Sequence, residues 1–332
     1  MQLPVTPNDI INACQQLAGH AIHTPLITSP ALDAQSERRL FFKPECLQRT
    51  GSFKFRGAFN RLSRLSADEK QRGVIAWSSG NHAQGVAAAA KALGIRARIV
   101  MPADAPAIKT ANTLALGAEV IPYDRYTEDR EAIAWALAET DGAIIVPSFD
   151  DPHIIAGQGT LAIELIADCR VQDIELDALL VCCSGGGMVA GCALAAQAME
   201  SNVAVYAVEP EAFDDHCRSL RSGVRESVAH GARSFCDALL APQPGELTFE
   251  INHALLAGGL AVSDDSVKVA MRAAFEHLKL VVEPGGAVAL AAALDKLLPP
   301  HYQNVGVVLS GGNVDPACFS EVILGAPQLS RG

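Results

Sequence analysis

The sequence of 332 residues lacks any run of clustered positive charge. Its 26 Lys and Arg residues are outnumbered by 37 Asp and Glu, which gives a formal net charge of -11 at pH 7. Nucleic-acid affinity rests largely on clustered Lys and Arg that replace phosphate counterions. The composition therefore argues against a nucleic-acid-binding protein.

The sequence also lacks segments that would direct it to or through a membrane. Residues 1–9 have neither the charged nor the apolar stretch of a secretory leader, and no uninterrupted apolar run is long enough to span a bilayer. We expect a cytoplasmic protein with no membrane partner. With 49% hydrophobic and 19% charged residues, this length suffices for two lobes around a substantial buried core.

The sequence also lacks the cysteine spacing that is typical of metal-binding sites. The nine cysteines are odd in number and include no C-x-x-C pair. Cys182 and Cys183 are adjacent at the end of an apolar run that resembles a strand, so their side chains should point to opposite faces. We expect buried, reduced thiols rather than disulfides or a zinc site.

What is present is an alternation of two kinds of segment. Short β-rich runs occur at 40–43, 74–77, 98–101, 143–146, 179–182, 204–208 and 305–309. Helical spacing occurs at 83–93, 108–116, 127–138, 160–167, 188–199, 265–278 and 287–298. This order predicts an α/β protein with parallel sheets covered on both faces, with Gly94 and Gly117 as helix C-caps.

Three glycine-containing loops follow predicted strands, at 78–84, 184–188 and 310–313. Because strand C-termini gather at one edge of a parallel sheet, the three loops can face one ligand. The loop at 184–188 is the best phosphate site, since its glycines leave backbone N–H groups unobstructed before a helix. An ordinary strand-to-helix turn is the alternative. Neither a Walker loop nor a dinucleotide motif fits this register.

Lys54 lies between two phenylalanines at the predicted start of a helix. A lysine held among aromatic side chains and near other cations loses affinity for its proton, which favours attack by its amine and Schiff-base formation. Taken alone, a solvated lysine at a helix start is the more common situation.

In combination, four segments in this order resemble the fold-type II pyridoxal-phosphate enzymes: 50–58, 79–84, 184–187 and 310–313. The likeness is greatest to serine/threonine dehydratases and serine racemase and covers nearly the whole chain. Segment 283–287 departs from the family's E-P-S-G-A by one small residue.

The resemblance implies two open parallel-sheet α/β lobes, similar to the tryptophan synthase β subunit, with the cofactor in the cleft between them. Residues 1–77 and 151–332 would form the large cofactor-binding domain, and 78–150 a small domain that closes over the substrate. A homodimer is also implied.

The resemblance assigns the cofactor contacts residue by residue. Lys54 would form the Schiff base with pyridoxal phosphate, and Asn81 would donate to its phenolic oxygen. Ser310 would face the pyridine nitrogen. The remaining implied contacts come from Phe53, Gly185, Gly186, Gly187, Met188 and Glu283.

The implied reaction is dehydration and deamination of a hydroxy amino acid such as serine, threonine or a 3-hydroxy derivative. Lys54 would remove the α-proton, the β-hydroxyl would leave, and the released product would become a 2-oxo acid and ammonia. Ser310, a neutral partner, suits elimination better than a long-lived carbanion. Ser79 would lie on the opposite cofactor face as a second acid or base, which makes racemisation accessible.

Substrate contacts are expected mainly from the loop that enters the helix at 83–93, whose amides can hold a carboxylate. The expected residues are Ser78, Ser79, Asn81 and His82, although His82 could serve only to orient the loop. Arg130 and Ser234 correspond to substrate-side residues of serine racemase. For Arg130, an ordinary exposed charge on a helix is the alternative.

Segment 209–215 resembles the divalent-cation loop of serine racemase, which implies Glu209, the Phe213 carbonyl and Asp215 as ligands. Such oxygen donors suit magnesium, calcium or manganese, in a structural or activating role. A solvated acidic loop is the alternative.

Several functions remain open at this point. Within the family, the alternatives are an amino-acid racemase and a dehydratase for 3-hydroxyaspartate, phenylserine or a related compound. Outside it, the fold could serve a non-catalytic phosphate-ligand binding module. The chain ends soon after the Ser310 loop, so we expect neither a C-terminal regulatory domain nor feedback inhibition by isoleucine.

Overall fold

Nine parallel strands form two sheets in the computed structural model, which describes residues 3–105 and 107–325. In chain order the strands are β1 (Arg39–Pro44), β2 (Val74–Trp77), β3 (Ala97–Pro102), β4 (Glu119–Tyr123), β5 (Ile144–Ile145), β6 (Ala178–Cys182), β7 (Ala204–Pro210), β8 (Gly258–Val262) and β9 (Asn304–Leu309). One sheet has the order β1-β9-β6-β7-β8 and the other β4-β3-β2-β5. The predicted α/β class with parallel sheets is confirmed.

Helices cover both sheets. They are α1 (Pro7–Leu17), α2 (Pro30–Ser36), α3 (Lys54–Ser63), α4 (Ala67–Arg72), α5 (Asn81–Leu93), α6 (Ala107–Ala115), α7 (Arg130–Asp141), α8 (Pro152–Arg170), α9 (Gly187–Ala198), α10 (Asp215–Ser222), α11 (Glu246–Leu255), α12 (Asp264–Ala273), α13 (Pro284–Leu294) and α14 (Pro316–Leu324). Short 3-10 turns occur at Glu45–Leu47, Arg49–Gly51 and Glu211–Phe213, and α12 continues into a π-helical turn at Ala274–Leu278. No helix in the described ranges combines the length and the apolar character needed to cross a membrane.

Two strands, β4 and β8, were not predicted from the sequence. Strand β4 contains Pro122, which cannot donate to a ladder, and β8 begins with two glycines, which weaken any strand pattern. Helix α8 begins at Pro152, eight residues before the predicted helix at 160–167, because Gly157 and Gly159 had lowered its apparent helix propensity. Gly94 is the left-handed C-cap of α5, as predicted, and Gly117, with φ +88°, follows two residues after the end of α6.

The predicted domain division needs a correction at residue 77. Strand β2 pairs with β3 and β5, so Val74–Trp77 lies in the four-stranded sheet and not with the larger unit to which residues 1–77 were assigned. The error arose because the loop at 78–80 was taken as the crossing between the lobes. The chain passes from one sheet to the other before β2.

Helix α8 packs closely against two other helices, α3 and α9. A Cβ on Gly157 would lie 2.6 Å from the Cα of Gly57 and 2.7 Å from the Arg56 carbonyl oxygen, both in α3. On the other side of α8, Gly159 packs against the backbone of Gly191 in α9. Glycine therefore allows α8 to approach both helices that begin at the edge of the cleft.

We predict that Gly157→Ala destabilises the protein by about 1–3 kcal/mol, because the added methyl group must displace the α3 backbone. Urea unfolding followed by circular dichroism measures the change. The control is Gln197→Ala on α9, where an exposed side chain is removed and a change within about 0.5 kcal/mol is expected. Equal stability of Gly157→Ala and the original protein would contradict the close packing.

Candidate active site

A cavity of about 620 Å³ opens between the two sheets, at the carboxyl ends of their strands. The loops after β2, β6 and β9 meet there, as expected for ligand sites in parallel sheets. Among the expected contacts, the lining includes Phe53, Lys54, Ser78, Ser79, Asn81, His82, Arg130, Gly185, Gly186, Gly187, Met188, Glu283 and Ser310.

Lys54 is the first residue of α3 and its amine faces the cavity. Its Nζ donates to the Ser148 carbonyl at 2.7 Å and lies 5.2 Å from the centre of the Phe53 ring. Burial lowers the pKa of Lys54 to about 8. About a tenth of this amine is therefore neutral at pH 7, in the form that a nucleophile or a base requires.

A buried ionic network fixes the start of α3. Arg56 donates through Nε to Glu45 Oε2 at 2.8 Å and through Nη1 to Glu164 Oε1 at 2.7 Å. Lys43 Nζ lies 2.6 Å from Glu164 Oε2. Although burial opposes it, hydrogen bonding and attraction to Arg56 lower the pKa of Glu164. The network joins β1, α3 and α8, and so holds the Lys54 backbone in place.

Asn81 connects α5 to two loops of the other sheet. Its Nδ2 donates to Glu283 Oε1 at 2.5 Å, and its Oδ1 accepts from Asn313 Nδ2 at 2.7 Å. Asn313 Nδ2 also donates to the Thr50 carbonyl at 2.7 Å. Burial raises the pKa of Glu283 to about 7. The residues around Asn81 thus form one continuous hydrogen-bonded group.

The glycine loop after β6 has the features of an anion site. Helix α9 begins at Gly187, and the first N–H groups of a helix have no intrahelical acceptor. Two side chains hydrogen-bond to the carbonyls of this loop. Thr248 Oγ1 donates to Gly185 O at 2.6 Å, and Asn252 Nδ2 donates to Gly186 O at 3.2 Å. Gly186 has φ +93°, a conformation that favours glycine. These residues fit a phosphate group, and we call Gly185–Met188 the phosphate cradle.

Ser310 lies at the end of β9 and is 4% exposed. Its Oγ accepts from Cys182 Sγ at 3.1 Å, and its carbonyl accepts from Phe53 N at 3.1 Å. It therefore offers a neutral hydroxyl to the cavity at the position expected for a pyridine partner.

His82 is buried, and its Nε2 donates to the Val146 carbonyl at 2.9 Å. Burial and the nearby Lys54 lower its pKa to about 3, so the imidazole is neutral. Ser78 Oγ accepts from Gly80 N at 3.1 Å. Both contacts orient the loop that leads into α5.

Ser234 is not among the residues that line the cavity, and its expected substrate contact stays a prediction. Its Oγ donates to Asp264 Oδ1 at 2.7 Å and accepts from Cys236 N at 3.1 Å. These bonds make it a structural link between a loop and the start of α12.

The three residues of the expected cation loop lie together but outside the cavity lining. Glu209 is fully buried, and its two oxygens accept from His216 N at 3.1 Å and Cys217 N at 2.7 Å. Asp215 is 1% exposed, and its Oδ2 has no hydrogen-bond partner among the described residues. Burial raises the pKa of Asp215 to about 7 and that of Glu209 well above its usual range.

An ion pair across the cavity was not predicted from the sequence. Lys109 of α6 lies 2.8 Å from Asp237, which belongs to an irregular segment of the other lobe. Both line the cavity, but neither sequence position differs from an ordinary exposed charge. The Arg56 network was also missed, although Lys43 inside an apolar strand was a signal that a buried cation needs partners.

A lysine with a lowered pKa, a phosphate cradle and a neutral serine at one sheet edge define a pyridoxal-phosphate enzyme of fold-type II. Comparison with known proteins agrees. Residues 17–311 match the family described as pyridoxal-phosphate dependent enzyme, and the chain belongs to that family.

Three similar proteins cover almost the whole chain. L-threo-3-hydroxyaspartate ammonia-lyase of Pseudomonas sp is 45% identical, over 96% of this chain and 98% of that protein. Serine racemase of Schizosaccharomyces pombe is 41% identical, over 93% and 94%. The crystal structure of T.th. threonine deaminase is 42% identical, covers 93% of this chain and 99% of that one, and has a TM-score of 0.87.

The expected reaction type is thereby confirmed: the chain is a pyridoxal-phosphate-dependent ammonia-lyase that works by β-elimination.

We predict that Lys54→Ala abolishes the Schiff-base absorbance of the purified protein, whereas Lys91→Ala, an exposed lysine of α5, leaves it unchanged. In cofactor-free protein, the rate at which added pyridoxal phosphate produces this band should rise about tenfold per pH unit below about pH 8 and level off above, because only the neutral amine attacks. A band that persists in Lys54→Ala, or a rate independent of pH, would contradict the assignment.

Proposed function

We propose that the substrate is a 3-hydroxy amino acid with a second carboxylate, of the 3-hydroxyaspartate kind. The observation that carries this proposal is the position of Arg130, which lines the cavity at the start of α7 and forms no ion pair within the described ranges. Lys109 is already compensated by Asp237. The name of the 45% identical Pseudomonas protein supports the same substrate class.

Lys54 is the proposed base that takes the proton from the substrate's α-carbon. When bound, pyridoxal phosphate supplies an electron sink for the negative charge that develops at this carbon. The residues proposed to hold the cofactor are Lys54, Phe53, Asn81, the phosphate cradle, Glu283 and Ser310. Lys54 combines a lowered pKa with a position at the cavity wall, and both suit proton transfer.

The loop that enters α5 is proposed to bind the first carboxylate. The N-terminal amides of α5 favour an anion, and Ser78, Ser79 and Asn81 line the cavity beside them. Because the Nε2 of His82 is used by Val146, we assign His82 to orientation of this loop. The guanidinium of Arg130 can then pair with the distal carboxylate.

Racemisation is a second candidate function. Ser79 lines the same cavity and could exchange a proton on the face of the substrate opposite Lys54. Chromatography of the enantiomers formed from each single stereoisomer separates the two functions. Elimination predicts that 2-oxo acid and ammonia accumulate, and scrambling of enantiomers without 2-oxo acid would favour the racemase.

We predict that Arg130→Ala raises the KM for threo-3-hydroxyaspartate about 10- to 100-fold, because a charge-assisted contact to the distal carboxylate is lost. The KM for L-serine, which has no distal carboxylate, should change little. Coupled assays of 2-oxo acid formation measure both values.

The control is Arg125→Ala, which removes an exposed arginine that pairs with Asp104 outside the cavity. It should leave both KM values unchanged. Equal effects of Arg130→Ala on the two substrates would count against the dicarboxylate proposal.

We also propose that Glu209, the Phe213 carbonyl and Asp215 bind a magnesium, calcium or manganese ion. Two buried carboxylates with raised pKa values, one of them with an unpartnered oxygen, gain from a nearby cation. We call these three residues the oxygen site. Its role would be structural or activating, because it lies outside the cavity lining.

We predict that magnesium raises the melting temperature of EDTA-treated protein, since a ligand bound only to the folded state adds about 2.7 kcal/mol at one hundred times its Kd. Asp215→Asn should abolish this response. Asp214→Asn should retain it, because Asp214 pairs with Arg218 at 2.7 Å instead. A magnesium response that survives in Asp215→Asn would exclude this ligand set.

A small domain that includes β2 and closes over the substrate stays a prediction, as do the homodimer and a cytoplasmic location.

A further inference from the structure

A mixed group of metal-binding side chains lies behind the phosphate cradle. Ligand atoms of Cys183, Glu209 and His216 lie within 4.8 Å of one another, and all three residues are buried. We propose that these three residues bind a zinc ion, or a divalent cation of similar softness, through a thiolate, a carboxylate oxygen and an imidazole nitrogen. We call them the thiolate site. The proposal does not depend on which hydroxy amino acid is the substrate.

Sheet register explains why two of the donors meet. In the pair β6 and β7, Cys182 is opposite Val208, so Cys183 and Glu209 are the next residues along two adjacent parallel strands. Their side chains therefore point to the same face of the sheet. Cys183 N donates to the Val208 carbonyl at 2.8 Å, which continues the ladder to this point.

His216 completes the group from the first turn of α10. Its backbone N–H donates to Glu209 Oε1 at 3.1 Å, which brings the ring beside the carboxylate. Its Nδ1 is fully buried and has no hydrogen-bond partner among the described residues. A metal on Nδ1 requires the ring hydrogen on Nε2, which lies 2.8 Å from the side-chain amide of Asn252. The Asn252 amide must then present its Oδ1, which also has no partner among the described residues, to accept from Nε2.

The Cys183 sulfur and the Glu209 oxygens are also able to bind a metal. The Cys183 thiol makes one weak contact, to the Ser184 carbonyl at 3.6 Å. Each Glu209 oxygen accepts one backbone N–H and keeps a further lone pair. On binding, the thiol proton passes to solvent and the sulfur–metal bond forms, as for other metal-bound cysteines.

Zinc fits this donor set better than magnesium. Thiolate and imidazole are ligands that zinc prefers, whereas magnesium takes oxygen donors. A tetrahedral zinc with bonds of about 2.0–2.3 Å places its donors about 3.2–3.7 Å apart, so the group needs to contract by about 1 Å. Water would occupy the fourth position. Since Glu209 belongs to both the thiolate site and the oxygen site, zinc and magnesium should compete.

The thiolate site also contacts the phosphate cradle. A Cβ on Gly186 would lie 2.5 Å from Cε1 of His216 and 2.7 Å from Nδ2 of Asn252, so both side chains pack directly against this glycine. Cys183 lines the cavity itself, which provides a route for the ion. If an ion rotates the His216 ring, the backbone of the phosphate cradle should therefore shift as well.

The test is a zinc titration of metal-stripped holoenzyme in competition with a chelating dye. We expect one zinc per chain and at least about a 100-fold weaker affinity in Cys183→Ser and in His216→Gln, each of which removes one of three ligands. Cobalt added in place of zinc should give a thiolate-to-metal absorption that is absent in Cys183→Ser. Cys169→Ser, a buried cysteine of α8, is the matched control and should bind zinc normally.

Further variants separate the thiolate site from the oxygen site. Asp215→Asn should keep zinc binding while it loses the magnesium response. Cys183→Val, which preserves volume, carries the test if Cys183→Ser does not fold. Unchanged zinc affinity in the folded Cys183 and His216 variants would overturn the proposal, as would zinc binding lost only in Asp215→Asn. Zinc binding is measured without substrate, so a failed elimination assay would count against the proposed substrate alone.

Discussion

The position of Lys54 depends on a group of buried charges that lies beneath it. Arg56, two residues further along α3, is fully buried and contacts Glu45 and Glu164, while Lys43 contacts Glu164 from β1. Four charges of balanced sign are tolerable in this environment only because each has a partner, since an unpaired buried charge costs several kcal/mol. The network therefore stabilises the observed arrangement of β1, α3 and α8. Lys54 takes its place at the cavity wall from that arrangement.

Helix α5 and the loops after β2 and β9 are also positioned relative to α3. Helix α5 packs against the Lys54 backbone at Gly85, where an added Cβ would lie 3.0 Å from the Lys54 carbonyl carbon. Asn81 at the start of α5 is bonded to Glu283 and Asn313 from the other sheet. The loops that follow β2 and β9 are thus fixed relative to the lysine by hydrogen bonds that cross the cavity. A shift of α3 would be transmitted to both.

Local patterns in the sequence predicted most of the fold and much of the site. Apolar runs identified seven of the nine strands, and the glycine loops after β2, β6 and β9 were recognisable because close approach to a ligand requires glycine. Strands β4 and β8 were missed since Pro122 and the pair Gly258 and Gly259 break the strand pattern.

Partnerships between distant segments could not be predicted. The bond from Arg56 to Glu164 joins residues 108 positions apart, and that from Asn81 to Glu283 joins residues 202 apart. No local periodicity carries such information. The same holds for Ser234, whose hydrogen-bond partner Asp264 lies 30 positions away in another element.

The hydrogen bonding of Ser310 connects the fold to the type of reaction. Cys182 donates to the Ser310 oxygen, so the hydroxyl hydrogen of Ser310 remains available to an acceptor in the cavity. If Ser310 holds the pyridine nitrogen of the cofactor, as we propose, its neutral hydroxyl would stabilise a ring proton far less than a carboxylate does. The cofactor would then supply a weaker electron sink for charge that develops at the substrate's α-carbon. Departure of a β-hydroxyl would remove that charge, so a neutral partner at Ser310 suits elimination better than a long-lived carbanion.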